Sequence, residues 1–301
     1  MEQPSTQPKP HRILAIVGPT ASGKSSLAIE LAKKYDGEII SADSRQIYRG
    51  MDIGTGKVTP EEQTLAKHHL IDIREPSEDY NVTDFKRDAA TLIEDIQSRG
   101  KLPIICGGTL FWVQSLIDNQ SFPAVPPNPK LRSELAPLSC EILFQKLQAL
   151  DPKRAETIDA KNPIRLIRAI EIATAIGSVP ALTQTKPNEN YFIIALNPPK
   201  EILDANIKKR LEERFNEGMI DEVRNLNTQG ISWERLEGFG LEYRWIALFL
   251  QGKIDEPAMK EKLRFNIIHY AKRQLTWLRR WEKQGVDIRW IRSASEIDLL
   301  F

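Results

Sequence analysis

The chain is poor in the residues that form covalent staples and metal cages. Only two cysteines, Cys106 and Cys140, occur in 301 residues, too few for a disulfide framework or a cysteine zinc site. His68 and His69 adjoin, but no further ligand stands at metal-binding spacing from them. Such usage suits a reducing compartment, and the cytoplasm is the expected location. Long apolar runs are also missing. Ile13–Val17 is strand-length, far below a membrane span. Met1–Pro10 is polar and proline-rich, with no signal-peptide core, and is expected to fray. No membrane partner is expected. The formal net charge is only +1, so any surface for nucleic acid must be local. What is present is ordinary for a globular protein with a buried core: 41% hydrophobic and 28% charged residues.

Periodicity predicts the elements. Arg12–Val17 reads as a buried strand running into a glycine-rich turn. Lys24–Tyr35 has helical spacing, with Leu27, Ala28 and Leu31 on one face. Glu38–Ser41 and His69–Ile73 are further strands. Val82–Arg99 is a helix stopped by Gly100, and Pro103–Cys106 is a strand broken by Gly107-Gly108. Strands alternating with helices predict an α/β fold with a parallel sheet. The proline-rich stretch Phe122–Pro129 then changes the texture. Leu131–Ile176 is expected to be helical, and Tyr191–Leu196 returns to strand. Helices follow at Glu201–Glu217, Met219–Gln229, Glu242–Leu250 and Glu256–Lys283, with a last strand at Ile288–Ile291. The expected organisation is an α/β core over residues 1–121, a helical insertion over 122–190, and a return to the core over 191–301.

One motif carries chemistry by itself. Gly18-Pro19-Thr20-Ala21-Ser22-Gly23-Lys24-Ser25 matches G-x-x-x-x-G-K-[ST]. It lies between a predicted strand and a predicted helix, as a phosphate-binding P-loop does. Successive backbone N–H groups and the helix N-terminus form an anion nest. Lys24 offers a point charge to a distal phosphate, and Ser25 offers a hydroxyl to Mg²⁺. The motif alone does not name the ligand; most P-loops bind nucleotides such as ATP, so the default expectation is an ATPase or small-molecule kinase. Asp43 follows the second strand, where open α/β sheets hold ligands; it can serve as a base, a metal partner or a turn residue.

Six blocks taken together resemble a known family. They are GPTASGKSS (Gly18–Ser26), SADSRQIY (Ser41–Tyr48), HHLIDI (His68–Ile73), GGT (Gly107–Thr109), NPIRLIRAIE (Asn162–Glu171) and YAKRQLTW (Tyr270–Trp277). In this order they resemble the tRNA dimethylallyltransferases, the IPP transferase family. The resemblance implies a P-loop NTPase-like core with a helical insertion domain that binds tRNA. It implies transfer of a prenyl group from dimethylallyl diphosphate to the N6 amine of adenosine 37 in the anticodon stem-loop. Asp43 would be the base, Thr109 would touch the target base and orient Asp43, and Lys24 and Arg214 would hold the diphosphate with Mg²⁺ on Ser25. Contacts to tRNA would come from Asp43, Ser44, Arg45 and Gln46, from Thr109 and Arg132, from Ile164, Arg165, Leu166, Ile167 and Arg168, from Gly238–Tyr243, and from Lys272, Arg273 and Gln274 in the segment that runs on to Arg279. A monomer is expected.

The resemblance is not complete. The segment after Arg214, Phe215–Met219, is shorter than the family's by about one helical turn, roughly four residues. The family's GYKE-like block reads Gly240-Leu241-Glu242-Tyr243, and Phe111 or Trp112 stands where a tyrosine is common. No C-terminal zinc-finger pattern occurs, as in bacterial or organellar members. Two other functions remain open: prenylation of a free adenine nucleotide, and phosphoryl transfer by a P-loop kinase. An RNA-binding protein without catalysis fits the complete P-loop and Asp43 less well.

Overall fold

The computed structural model describes residues 13–181 and 190–299. Residues 1–12, including the expected fraying tail and Arg12, and residues 182–189 of the expected insertion lie outside the described residues. Six strands form one sheet in the order β3-β2-β4-β1-β5-β6, and every pairing is parallel. They are β1 (Ile13–Val17), β2 (Gly37–Ser41), β3 (His68–His69), β4 (Leu102–Gly107), β5 (Tyr191–Leu196) and β6 (Ile288–Ile291). Strands buried on both faces read as continuous apolar runs, and all five residues of β1 are buried. Side chains alternate across a strand. Accordingly Ile13, Ala15 and Val17 join one core cluster, and Leu14 and Ile16 join another.

Helices cover both clusters. α1 (Lys24–Lys34) starts from the P-loop, and α2 (Pro60–Leu65) is held by a capping box between Thr59 and Glu62. α3 (Val82–Ser98) starts at a second capping box, Asn81 with Asp84, and α4 (Leu110–Ile117) follows β4. Sequence periodicity did not indicate α4: its run LFWVQSLI is apolar nearly all round, and six of its eight residues are buried.

Residues from Gln120 onward form a separate compact unit. It contains α5 (Pro129–Leu135), α6 (Cys140–Leu150), α7 (Pro152–Ala155) and α8 (Pro163–Ile176). Its own small core includes Leu135, Leu143, Leu147, Leu166 and Ile170. Inside it Glu171 is buried and takes a two-pronged bond from Arg132 (2.7 and 2.8 Å), with Arg168 at 3.0 Å and the Asn128 N–H at 2.8 Å. Burial by itself raises this carboxyl; the donors of Arg132, Asn128 and Arg168 overcome that and hold it at about 2.

The first unit resumes at residue 190. It continues through α9 (Lys200–Asn216), α10 (Met219–Thr228), α11 (Trp233–Phe239), α12 (Leu241–Leu250) and α13 (Glu256–Lys283). α13 buries Met259, Leu263, Ile267, Ala271, Gln274, Leu278 and Trp281, a stripe at three- and four-residue steps. One element departs from expectation. The strand expected at His69–Ile73 is only His68–His69, because Leu70 and Asp72 take positive φ (61° and 54°) and leave the ladder. Asp72 instead pairs with the buried ammonium of Lys57.

Candidate active site

The C-terminal ends of β1, β2 and β4 carry the Gly18–Ser25 loop, Asp43 and Thr109 to one edge of the sheet. Gly107 makes the close approach possible. A β-carbon there would collide with the carbonyl of Ala42, and the Thr109 N–H reaches that same carbonyl at 3.1 Å. The Thr109 hydroxyl accepts the Ser44 N–H (3.0 Å) and donates to the Ser44 hydroxyl (3.3 Å). Thr109 therefore holds the residue next to Asp43. Asp43 itself accepts the Arg45 N–H at 2.9 Å, closing a tight side-chain turn.

The P-loop is braced from two helices. Gln274 on α13 is buried; its carbonyl accepts the Thr20 N–H (2.8 Å) and its amide donates to the Gly108 carbonyl (2.9 Å). From α9, Asn206 donates to the Ala21 carbonyl (3.3 Å) and Arg210 donates to the Thr20 hydroxyl. Gln274 was expected on the tRNA face; its side chain is committed inside the protein instead. Leu166, expected there too, is fully buried in the helical unit, while Ile164 is 78% exposed. Arg132 and Arg168 are tied to Glu171. Lys272 and Arg273 are exposed on α13.

Two cavities adjoin this edge. The first, about 420 Å³, is lined by Lys24, Ser25, Gly56, Arg210 and Arg214 among others. The second, about 250 Å³, is lined by Thr20, Asp43, Thr109, Arg214, Glu242 and Tyr270 among others. Arg214 lines both. A wider depression of about 560 Å³ beside α1, lined by Lys33, Lys34, Glu62 and Leu65 among others, gathers no comparable set of groups.

The first cavity gathers three cations, Lys24, Arg210 and Arg214, with Glu62, Glu213 and Glu217 also on its lining. Burial lowers the Lys24 ammonium, and the nearby Arg210 and Arg214 push it the same way against Cys106 and Asp43. Burial, then Arg214, brings the Arg210 guanidinium down to about 10. Arg210 forms no ion pair among the described residues. Sequence reasoning missed Arg210, although its signal was present: it stands four residues before Arg214, on the same helical face. Arg214 is buried, meets Glu242 at 3.3 Å and donates to the Gly54 carbonyl at 3.3 Å. Gly56, at φ +60°, lies so close that a β-carbon would strike the Arg214 guanidinium. The Glu242 carboxyl is raised by burial, and Arg214 pulls against that. Cys106 is buried behind the loop with its thiol raised to about 11, an inert strand residue. Among the described residues no three His, Cys, Asp or Glu side chains gather as a metal site, and no helix is long and apolar enough to cross a membrane.

This arrangement defines a P-loop α/β protein with a carboxylate, Asp43, beside the phosphate-binding loop. The family model for IPP transferase matches residues 46–281. The chain is 44% identical to a protein of Treponema denticola called tRNA dimethylallyltransferase 2, over 93% of this chain and 96% of that one. It is similar to the tRNA isopentenylpyrophosphate transferase of Bacillus halodurans, at 36% identity and TM-score 0.69, over 93% of this chain and 89% of the other. It is also similar to a eukaryotic dimethylallyltransferase solved acting on tRNA, at 26% identity and TM-score 0.75, over 89% and 69% of the two chains. The chain belongs to the IPP transferase family.

Proposed function

We propose that this chain is an enzyme that moves a dimethylallyl group from dimethylallyl diphosphate to the N6 amine of adenosine 37 in tRNA. The observation that carries the reading is the pair of cavities that share Arg214, one lined by the P-loop, Lys24 and Arg210 and the other holding Asp43. A P-loop that fed a kinase would place a nucleotide's terminal phosphate at the second cavity. Here that cavity offers a carboxylate, a threonine and a tyrosine, which suit an adenine amine better than a phosphoryl group.

The exocyclic amine is a weak nucleophile, because its lone pair is shared with the ring. Asp43 takes its proton as the new nitrogen–carbon bond forms, and the carbon–oxygen bond to diphosphate breaks. Charge then develops on the leaving diphosphate. Lys24, Arg210, Arg214 and the amides of Gly18–Ser25 lie where they stabilise it. Arg214 as part of this grip is a proposal from its place in the first cavity. Thr109 keeps the Ser44 backbone, and hence Asp43, in position.

The Ser25 hydroxyl lines the phosphate cavity near Glu62, Glu213 and Glu217. With no all-protein cage among the described residues, the donor set suits Mg²⁺, which keeps water and phosphate oxygens as ligands. Ser25 would hold it, and the ion would spread the diphosphate's charge. A stacked loop base must be extruded to reach Asp43. Ser44, Arg45, Gln46, Lys272 and Arg273 are the proposed tRNA contacts on the first unit, with Ile164, Arg165 and Ile167 on the helical unit. The proposed partner is the anticodon stem-loop, met by a monomer in the cytoplasm.

The test incubates the protein with labelled dimethylallyl diphosphate and unmodified tRNA, AMP or no acceptor, in parallel with labelled ATP. Label in tRNA is expected. Label in AMP but not tRNA would make the chain an adenylate prenyltransferase. Phosphate transfer from ATP without prenyl transfer would make it a kinase.

A further inference from the structure

We propose that Glu222 is a positioning residue for the reaction, setting Arg214 and Gln46 through the turn Asp52–Gly56. This rests on the first cavity being the diphosphate site. Glu222 sits on α10 and lines neither cavity. Its carboxylate nevertheless collects four donors. Oε2 accepts the Asp52 N–H (2.8 Å) and the Ile53 N–H (2.6 Å). Oε1 accepts the Gly54 N–H (3.0 Å) and the Tyr243 hydroxyl (2.7 Å). Three successive N–H groups turned to one anion form a nest, here filled by the protein's own carboxylate.

The far side of the same turn presents carbonyls to the site. Gly54 O accepts Arg214 Nη1 at 3.3 Å, and Gly56 O accepts Gln46 Nε2 at 3.0 Å. Gln46 is three residues beyond Asp43, and Arg214 borders both cavities. The Tyr243 ring packs against Gly54, where a β-carbon would come within 2.8 Å of it. The chain of contacts is therefore continuous: carboxylate, N–H nest, carbonyls, guanidinium and amide. Hydrogen bonds to an ionised acceptor are about twice as strong as neutral ones. Four donors on one carboxylate fix the turn far more firmly than an amide would. Gln in its place has one acceptor oxygen, and its NH₂ would face a backbone N–H.

The test measures binding of inorganic diphosphate by calorimetry to wild type, Glu222→Gln, Glu222→Asp, Tyr243→Phe and Arg214→Lys, each checked for a native circular dichroism spectrum. Wild type is expected to bind, and Glu222→Gln to weaken binding about tenfold, or about 1.4 kcal/mol. Tyr243→Phe, which removes one of the four donors and leaves the three N–H bonds in place, is expected to weaken it less than Glu222→Gln does. In the Arg214→Lys background Glu222→Gln should add little, because both changes act through one group. If Glu222→Gln misfolds, the comparison moves to Glu222→Asp, which keeps the charge but cannot reach all four donors. A lower melting temperature with diphosphate affinity within twofold of wild type, in whichever Glu222 variant folds, would overturn the proposal and leave Glu222 purely structural. Loss of binding in Arg214→Lys alongside that result would preserve the reading of the site. No diphosphate binding by wild type would instead remove that reading, and the proposal with it.

Discussion

Arg214 Nη1 and Glu242 Oε1 lie 3.3 Å apart, with only 7% and 11% of their side chains exposed. The cation bordering the P-loop cavity is thus tied to a carboxylate in the Asp43 cavity. Removing one partner of such a pair leaves a buried charge unmatched, at a cost of roughly 3–5 kcal/mol. Arg214→Ala should therefore lower unfolding free energy in urea by about 3 kcal/mol. Arg214→Ala with Glu242→Ala should be less destabilised than the sum of the single changes. Strict additivity would mean the two charges do not sense each other.

Asp43→Asn keeps the shape and removes the base. Single-turnover prenyl transfer should fall about 10²–10⁴-fold, with tRNA affinity little changed. Near-normal turnover would take the proton-accepting role from Asp43. Thr109→Ala should cost less, about tenfold, since it frees the Ser44 N–H and hydroxyl and leaves the Asp43 carboxylate in place.

Gln274→Leu leaves the Thr20 N–H without its partner, while the Gly108 carbonyl keeps the Tyr270 hydroxyl at 3.3 Å. The orphaned N–H costs roughly 1–3 kcal/mol, and the P-loop is the segment that loosens. Inorganic diphosphate should bind about tenfold more weakly by calorimetry. An effect on tRNA affinity alone would return Gln274 to the RNA face, where the family resemblance places it.

Glu38 gives the pH dependence. The Arg99 fork, then the His69 ring, hold its buried carboxyl down at about 2, against burial. A depressed carboxyl adds stability above its unfolded pKa, near 4.5, and loses it as pH falls through the folded value. Glu38→Gln should thus be destabilised by about 2 kcal/mol at pH 7, less than a fully buried pair because Arg99 is a third exposed. The gap to wild type should close as pH falls from 4.5 toward 2. A gap constant over that range would assign the loss to packing instead of charge.

Much of this was legible in the chain because it is local. The five apolar residues of β1, the glycines and Lys24 of the loop, and the α13 stripe announce themselves by spacing alone. What escaped depended on contacts between distant segments. Gln274 looked like part of a basic RNA-binding helix, yet its partners are 254 and 166 residues away. Nothing in the sequence singles out Glu222, because its three backbone donors lie about 170 positions earlier. The strand after His69 was overextended, since nothing in His-Leu-Ile-Asp-Ile marks the left-handed turns at Leu70 and Asp72. Arg210 was overlooked because a lysine- and glutamate-rich helix hides its one inward-facing basic edge.

That edge has a geometric consequence. Asn206, Arg210 and Arg214 recur every four residues on α9, so each step advances about 6 Å along a stiff rod. The first two reach the P-loop, and the third reaches the Asp43 side. The helix acts as a ruler, setting the span between the P-loop cavity and the Asp43 cavity by its pitch and not by loop lengths. Inserting a single residue between Arg210 and Arg214 would rotate the second guanidinium by about 100° and lengthen the span.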